Sequence, residues 1–304
     1  MRVVSLLASA TELVCALGAG DMLVGRSHEC DSPEWVKGLP AVSAPTFDVS
    51  GSSLSIDELV RAKLRAGEPL YFVDDARIAE LAPDVLLTQT HCEVCAVTPG
   101  DVAHGGAPSL SRREVVALRA GTLAGILEGF AAVASVLGRE AEGERLVSSL
   151  RARLEAVRAA VRDRARPSVA CLEWIEPVFA MGNWGPELVD AAGGESVLGT
   201  AGAHSTTTPW ADVRAADPEV LVVAPCGFAI DRTLREMHLL TAQPGWRDLR
   251  AVRAGRVFVA DGNLYFNRSG PTAFETAELL AEILHPDRFP PAHEGAWWRR
   301  YAGS

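Results

Sequence analysis

The chain lacks any run of about 18 uninterrupted apolar residues, the length a membrane-crossing helix requires, so no membrane insertion is expected. It lacks a convincing export leader as well. In MRVVSLLASATELVCALGAG, Glu12 interrupts the apolar stretch, only Arg2 precedes it, and no clear small-x-small cleavage site follows. Val14 stands where a lipoprotein acceptor at Cys15 would want a small neighbour. The segment reads as a strand and a helix, and the chain as given is expected to be cytoplasmic, or periplasmic or cell-surface if an export signal was removed. Positive charge is in deficit: 29 Lys and Arg face 39 Asp and Glu, for a net charge of −10. A net negative surface disfavours nucleic acid and anionic membrane as partners. The hydrolase, metalloprotease and nucleotide signatures GxSxG, HExxH, the P-loop and GxGxxG are absent. No carboxylate pair stands out from the solvated background, so no catalytic residues are assigned and an enzyme is not expected.

What is present is a globular composition, 48% hydrophobic and 22% charged, over 304 residues, long enough for two cores. The chain also contains an internal repeat. Residues 12–25, ELVCALGAGDMLVG, resemble residues 187–199, ELVDAAGGESVLG. Each reads as a helix ended by glycine and followed by a short strand. An apolar strand precedes each copy, Val3–Leu7 in the first and Ser168–Leu172 in the second. A second pair follows the same order: residues 81–92, LAPDVLLTQTHC, and 215–227, AADPEVLVVAPCG. In both, Pro and an acidic residue lead into a short apolar run, the pattern of a buried parallel strand entered from a helix. Matched β/α alternation predicts an α/β fold with two similar lobes, each built on a parallel, Rossmann-like sheet.

Between the repeats, Leu123, Ile126, Leu127, Phe130, Val133, Ala134 and Leu137 follow helical spacing, and Ala141–Ala165 reads as one long helix closed by Pro167. Leu146, Leu150, Leu154, Val157 and Val161 form its apolar stripe. The expected organisation is an N-terminal α/β lobe over residues 1–111, a helical segment containing the long linking helix over 112–166, a C-terminal α/β lobe over 167–288 and a tail over 289–304. Residues 98–111 read as the clearest loop.

Ligands of open α/β sheets bind outside the carboxyl ends of the strands, so the loops there are the candidate site, with a ligand cleft expected between the lobes. In the first lobe they bring His28, Glu29, Cys30, Tyr71, His91, Cys92 and Cys95. In the second they bring Trp174, Trp184, Trp210, Cys226, Phe228, Asn263, Tyr265 and Asn267. The aromatic residues supply broad amphipathic contact area. Asn263, Tyr265 and Asn267 alternate and, in an extended segment, would share one face. His28 and His91 are candidate ligands to the metal centre of a bound chelate. Of the six cysteines, Cys15 and Cys171 sit in apolar runs and read as core. Cys30, the Cys92–Cys95 CxxC and Cys226 leave metal, disulfide, redox and direct ligand contact open.

At SHECD, TQTHCEVCAV, GNWGPELVDAAGG, PCGF and DGNLYFNRSGP the sequence resembles the helical-backbone (class III) substrate-binding proteins of ABC transporters, closest to cobalamin-binding and iron-chelate-binding members, from about residue 2 to about residue 286. The resemblance implies a monomeric solute-binding protein for an ABC-type importer. It would capture a small molecule such as cobalamin or a related corrinoid or metal chelate as cargo, with no required cofactor, and dock on a permease through acidic residues. The alternative is a cytoplasmic zinc, iron–sulfur or redox protein using Cys30, Cys92, Cys95 and Cys226 on the same scaffold. A third option, a nucleotide-binding-like α/β protein, conflicts with the missing phosphate loop.

Overall fold

The computed structural model describes residues 1–90, 94, 96–98, 100 and 114–303. The chain divides into two compact units. The first comprises Met1–Gly51, Ser55–Ser149 and Ser269–Pro271, and the second comprises Ser52–Leu54, Leu150–Arg268 and Thr272–Ser304.

The first unit is built on strands β1 (Val3–Ser5), β2 (Leu23–Arg26), β5 (Val85–Gln89) and β6 (Glu114–Leu118), all parallel in the order β2-β1-β5-β6. Helix α1 (Ala8–Ala16) links β1 to β2, and α3 (Asp75–Leu81) leads into β5. Between β2 and α3 lies an antiparallel ribbon of β3 (Ser43–Pro45) and β4 (Tyr71–Val73), joined by α2 (Ser53–Ala66). After β6 comes α4 (Leu123–Val136), and its whole predicted stripe from Leu123 to Leu137 is buried. The next helix, α5 (Glu140–Val161), carries the chain from the first unit into the second, which begins again at Leu150.

The second unit repeats this plan. Strands β7 (Ser168–Trp174), β9 (Glu195–Ser196), β11 (Val220–Val223) and β12 (Val257–Ala260) run parallel, β7 pairing β9 and β11 and β11 pairing β12. Helices α6 (Gly185–Ala191), α7 (Trp210–Ala216), α8 (Ile230–Thr241), α9 (Arg250–Arg253) and α10 (Thr272–Leu284) complete it. Strands β8 (Phe179–Ala180) and β10 (Thr206–Thr207) extend one side antiparallel, and β13 (Trp298–Arg300) from the tail closes the other against β12. Its core packs Leu172, Val223, Met237, Leu240, Trp246 and Val259. Fully burying a side chain of the Leu or Met class contributes about 1.5–3 kcal/mol.

The repeat has a physical cause at each step. Both first helices end on a glycine of positive φ, Gly18 at 67° and Gly193 at 78°. The two amides that follow each helix bond back in the same way, Gly18 N to Cys15 O and Ala19 N to Val14 O, then Gly193 N to Asp190 O and Gly194 N to Val189 O. A left-handed residue and a proline follow both second helices, Ala82-Pro83 and Asp217-Pro218. The acidic residue after the proline then clasps the start of the first strand. Arg2 N donates to Asp84 Oδ2 at 2.7 Å, and Ser168 N donates to Glu219 Oε2 at 2.9 Å. Backbone bonds return from Asp84 N to Arg2 O and from Glu219 N to Ser168 O. The Pro-acid signature is thus the clasp that sets the register of two neighbouring strands.

Two expectations are corrected. Helix α5 ends at Val161 rather than Ala165. Val161 is the last buried residue of the stripe, and Arg164 and Arg166 turn away to pair with Asp287 and Asp190. The segment holding Asn263, Tyr265 and Asn267 is not extended. Gly262–Phe266 form a wide helical turn, because the Asp261 carboxylate accepts from the amides of Asn263 and Leu264.

Candidate functional site

In the first unit the loop after β2 meets the β3–β4 ribbon. Val42 N donates to Arg26 O, and Asp74 N donates to Val42 O, which fixes the ribbon beside β2. The ribbon then presents Ser43 and Tyr71 to His28. His28 Nδ1 lies 3.0 Å from Ser43 Oγ, and the His28 and Tyr71 rings are 5.4 Å apart. Among the described residues Nε2 has no hydrogen-bond partner, and Glu29 Oε1 lies 4.0 Å from it. Burial, and secondarily the charge of Arg26, lowers the His28 pKa to about 4, so the ring is neutral at physiological pH.

Cys30 faces the other way. It is 1% exposed, and its Sγ lies 3.0 Å from Thr11 Oγ1 and 3.3 Å from Ser27 Oγ. Burial raises its pKa, which keeps it a thiol. It is a core residue where a ligand contact or thiolate was expected, because Ser27 and Thr11 fold the loop over it. Cys15, Cys30, Cys171 and Cys226 are in no disulfide. Among the described residues no three His, Cys, Asp or Glu are grouped to hold a metal ion. His91, Cys92 and Cys95 lie outside the described residues, as does most of the loop expected over 98–111. What precedes and follows them is anchored: Tyr71 OH donates to Val94 O, Gln89 Nε2 to Ala96 O and Thr88 Oγ1 to Val97 O.

In the second unit β7 ends in Glu173 and Trp174. The Trp174 ring lies 5.2 Å from that of Phe228, and its Nε1 donates to Ser53 O at 3.2 Å, Ser53 belonging to this unit. Arg232 lies 3.7 Å above the other ring of this pair, Phe228, a cation–π contact. Phe228 itself is 1% exposed, so it supports Trp174 rather than offering its own face. Burial raises the Glu173 pKa to about 7, offset in part by a hydrogen bond from Ser205. Sequence reasoning passed over Glu173; its one signal was its position beside Trp174 at a strand end.

The loop after β12 packs on the loop after β11. A side chain at Gly262 would put its Cβ 2.1 Å from Pro225 O, so only glycine permits this approach. Asn267 Nδ2 bridges Ala224 O and Gly262 O, both at 2.9 Å. Asn267 therefore ties the two loops together, while Asn263 Oδ1 accepts from Arg268 at 3.0 Å. Tyr265 is buried against Trp297, ring centroids 4.5 Å apart. Two expected contact residues are packing residues: buried Trp184 donates to Phe266 O, and Trp210 stacks on the core Trp246 and donates to Pro244 O. Cys226 stays partly exposed beside Gly227. Of the expected residues, His28, Glu29, Trp174 and Cys226 keep part of their surface exposed, as does Glu173, whereas Tyr71 is buried with its hydroxyl on Val94 O.

Comparison with known proteins agrees with this architecture. The chain is 22% identical over 295 residues to the uncharacterized ABC transporter substrate-binding lipoprotein YvrC of Bacillus subtilis, covering 95% of this chain and 81% of that one. The fold matches the periplasmic vitamin B12 binding protein BtuF of Vibrio cholerae, with a TM-score of 0.67 at 17% identity over 93% of this chain and 95% of that one. It also matches the periplasmic heme-binding protein RhuT of Roseiflexus sp. RS-1, with a TM-score of 0.67 at 24% identity over 93% and 97% of the two chains. Residues 3–264 match the family described as periplasmic binding protein, and with its doubled β/α units and strand-end loops the chain belongs to that family.

Proposed function

We propose that this chain is the substrate-binding component of an ABC-type importer and that its cargo is a corrinoid such as cobalamin. The observation that carries the corrinoid reading is the state of His28. Its Nδ1 is held by Ser43, its Nε2 has no hydrogen-bond partner among the described residues, and its low pKa keeps the ring neutral, so that with the proton on Nδ1 the Nε2 lone pair is available. A hydrogen-bond partner on one ring nitrogen orients the other as a metal ligand. A chelated cobalt with an exchangeable axial position is the cargo such a nitrogen recognises. Haem is the second reading, since its iron would also take the imidazole. Glu173 favours the corrinoid: near neutral pH its carboxyl accepts or donates to an amide, whereas the propionate of a haem would meet a group that is itself part-ionised.

The test is a spectral titration of the purified chain with hydroxocobalamin, whose axial water exchanges, beside cyanocobalamin and hemin. Saturable one-to-one binding of hydroxocobalamin, with a visible-band shift that His28→Ala abolishes, is the expected result. Binding of hemin alone would replace the corrinoid by haem, and binding of none of the three would remove metal macrocycles as cargo.

A further inference from the structure

The amino ends of the second unit's strands, opposite in strand direction to the loops just described, carry a basic cavity. Pro167 enters β7, Glu219 enters β11 and Arg256 enters β12. A cavity of about 290 Å³ is lined there by Arg164, Arg166, Glu219, Arg256, His285 and Asp287, among others. At about 30 Å³ per water molecule the space is that of roughly ten waters, the lower end of small-ligand pockets. Three guanidinium groups meet at one place in a chain whose net charge is −10.

Against these three guanidinium groups the cavity lining sets two carboxylates, Glu219 and Asp287. Arg164 pairs with Asp287, and Arg166 pairs with Asp190 and Gly194 O. Glu219 holds the Ser168 amide and hydroxyl. Arg256 has one hydrogen bond, to Leu284 O at 3.3 Å, and no ion pair among the described residues. Burial lowers its pKa and the charge of Arg300 lowers it further, while Glu219 acts the other way. Glu219 is a neighbouring counter-charge, but its carboxylate is held by the Ser168 amide and hydroxyl, which leaves the Arg256 fork without an ion pair of its own among the described residues. The planar guanidinium fork matches the oxygen spacing of a phosphate and holds it through two parallel hydrogen bonds. Ala165 and Pro167 leave one wall small, and His285, buried and lowered in pKa by that burial, adds a neutral ring.

We propose that this cavity is a second binding site, for a phosphate group, in which the Arg256 guanidinium is the main anchor and Arg166 assists. The occupant is free phosphate or the phosphate of a small metabolite.

Calorimetric titration of the full chain in low-salt buffer with inorganic phosphate, pyrophosphate and AMP tests it. We expect saturable one-to-one binding of at least one of them, weakened about tenfold or more in Arg256→Gln, the loss of one charged contact of about 1.4 kcal/mol or more. Preference for inorganic phosphate identifies the free ion, and preference for AMP identifies an attached group. No saturable heat with any of the three, or binding unchanged in Arg256→Gln, overturns the site. If that variant unfolds, Arg166→Gln and the rise of the wild-type melting temperature with added phosphate decide in its place: a rise that Arg166→Gln diminishes supports the site, and no rise rejects it. Hydroxocobalamin titration of Arg256→Gln is expected to match wild type, because the cavity shares no residue with the strand-end loops.

Discussion

The imidazole of His28 holds its proton at pH about 4 in the folded chain and at about 6.5 when unfolded. Between those values the unfolded chain binds a proton that the folded chain refuses, so stability rises with pH across that window and is lost as pH falls through it. The stability lost from neutral pH to pH 4 through this group is at most about 3 kcal/mol. His28→Gln is therefore expected to flatten the dependence of guanidinium unfolding on pH between 4 and 6.5, and a slope unchanged from wild type would show that other groups set it. The candidate residue types at the strand ends were legible, since Trp, His and Tyr in loops of a β/α repeat point to a ligand surface. The direction each side chain takes was not. In SHECD, His28 and Cys30 are two positions apart, yet one ring meets Ser43 and the other thiol sits under Thr11.

At the scale of elements, the clasp of a helix–Pro–acid joint on a first strand is the device that repeats. The second copy is part-buried and its carboxylate takes both the amide and the hydroxyl of Ser168. The first copy is exposed. Leaving a buried amide unpaired costs about 1–3 kcal/mol, and an exposed one is rescued by water. Glu219→Ala, which removes two part-buried hydrogen bonds, is expected to destabilise the second unit by about 1 kcal/mol, and Asp84→Ala to cost the first unit less. Chemical denaturation of both variants checks the order, and equal costs would refute the burial argument. The Ser168 amide and hydroxyl hold the Glu219 pKa below the usual carboxylate range. A carboxylate depressed on folding lends stability above its unfolded pKa and loses it as pH falls through the folded one, so the Glu219→Ala penalty shrinks in acid.

For the molecule as a whole, the segment beyond residue 288 becomes part of the second unit's sheet. Strand β13 pairs with β12, and Trp298, 3% exposed, packs edge-on against Phe258. The buried Glu282 carboxylate gathers the tail, accepting from the His293 amide and ring and from Trp298 Nε1 at 3.0 Å. His293 stacks on Trp297 at 3.6 Å, which in turn covers Tyr265. Removing residues 289–304 would strip the edge of β12 and leave Glu282 without its donors. Hydrogen exchange is expected to show lost protection at Val257–Ala260 with that of Val3–Ser5 kept. Unchanged protection of β12 would make the tail an appendage.

The alternation of the central parallel strands with helices, the doubling of the β/α plan and the long helix were determined by the sequence alone, whereas the antiparallel β3–β4 ribbon and the edge strands β8, β10 and β13 were not legible in it. The first three rest on local rules: apolar runs of strand length, helical stripes, glycine after a helix and the Pro-acid pair before a strand. Tertiary structure decided which loop residues face outward. Cys30 is covered by Thr11, 19 positions away, and Trp184 is held by Phe266, 82 positions away. Asn267 reaches back 43 positions to Ala224, and the extended face expected of its segment gave way to a turn once Asp261 capped it. Burial of a side chain depends on which distant backbone arrives beside it, and no local spacing carries that information.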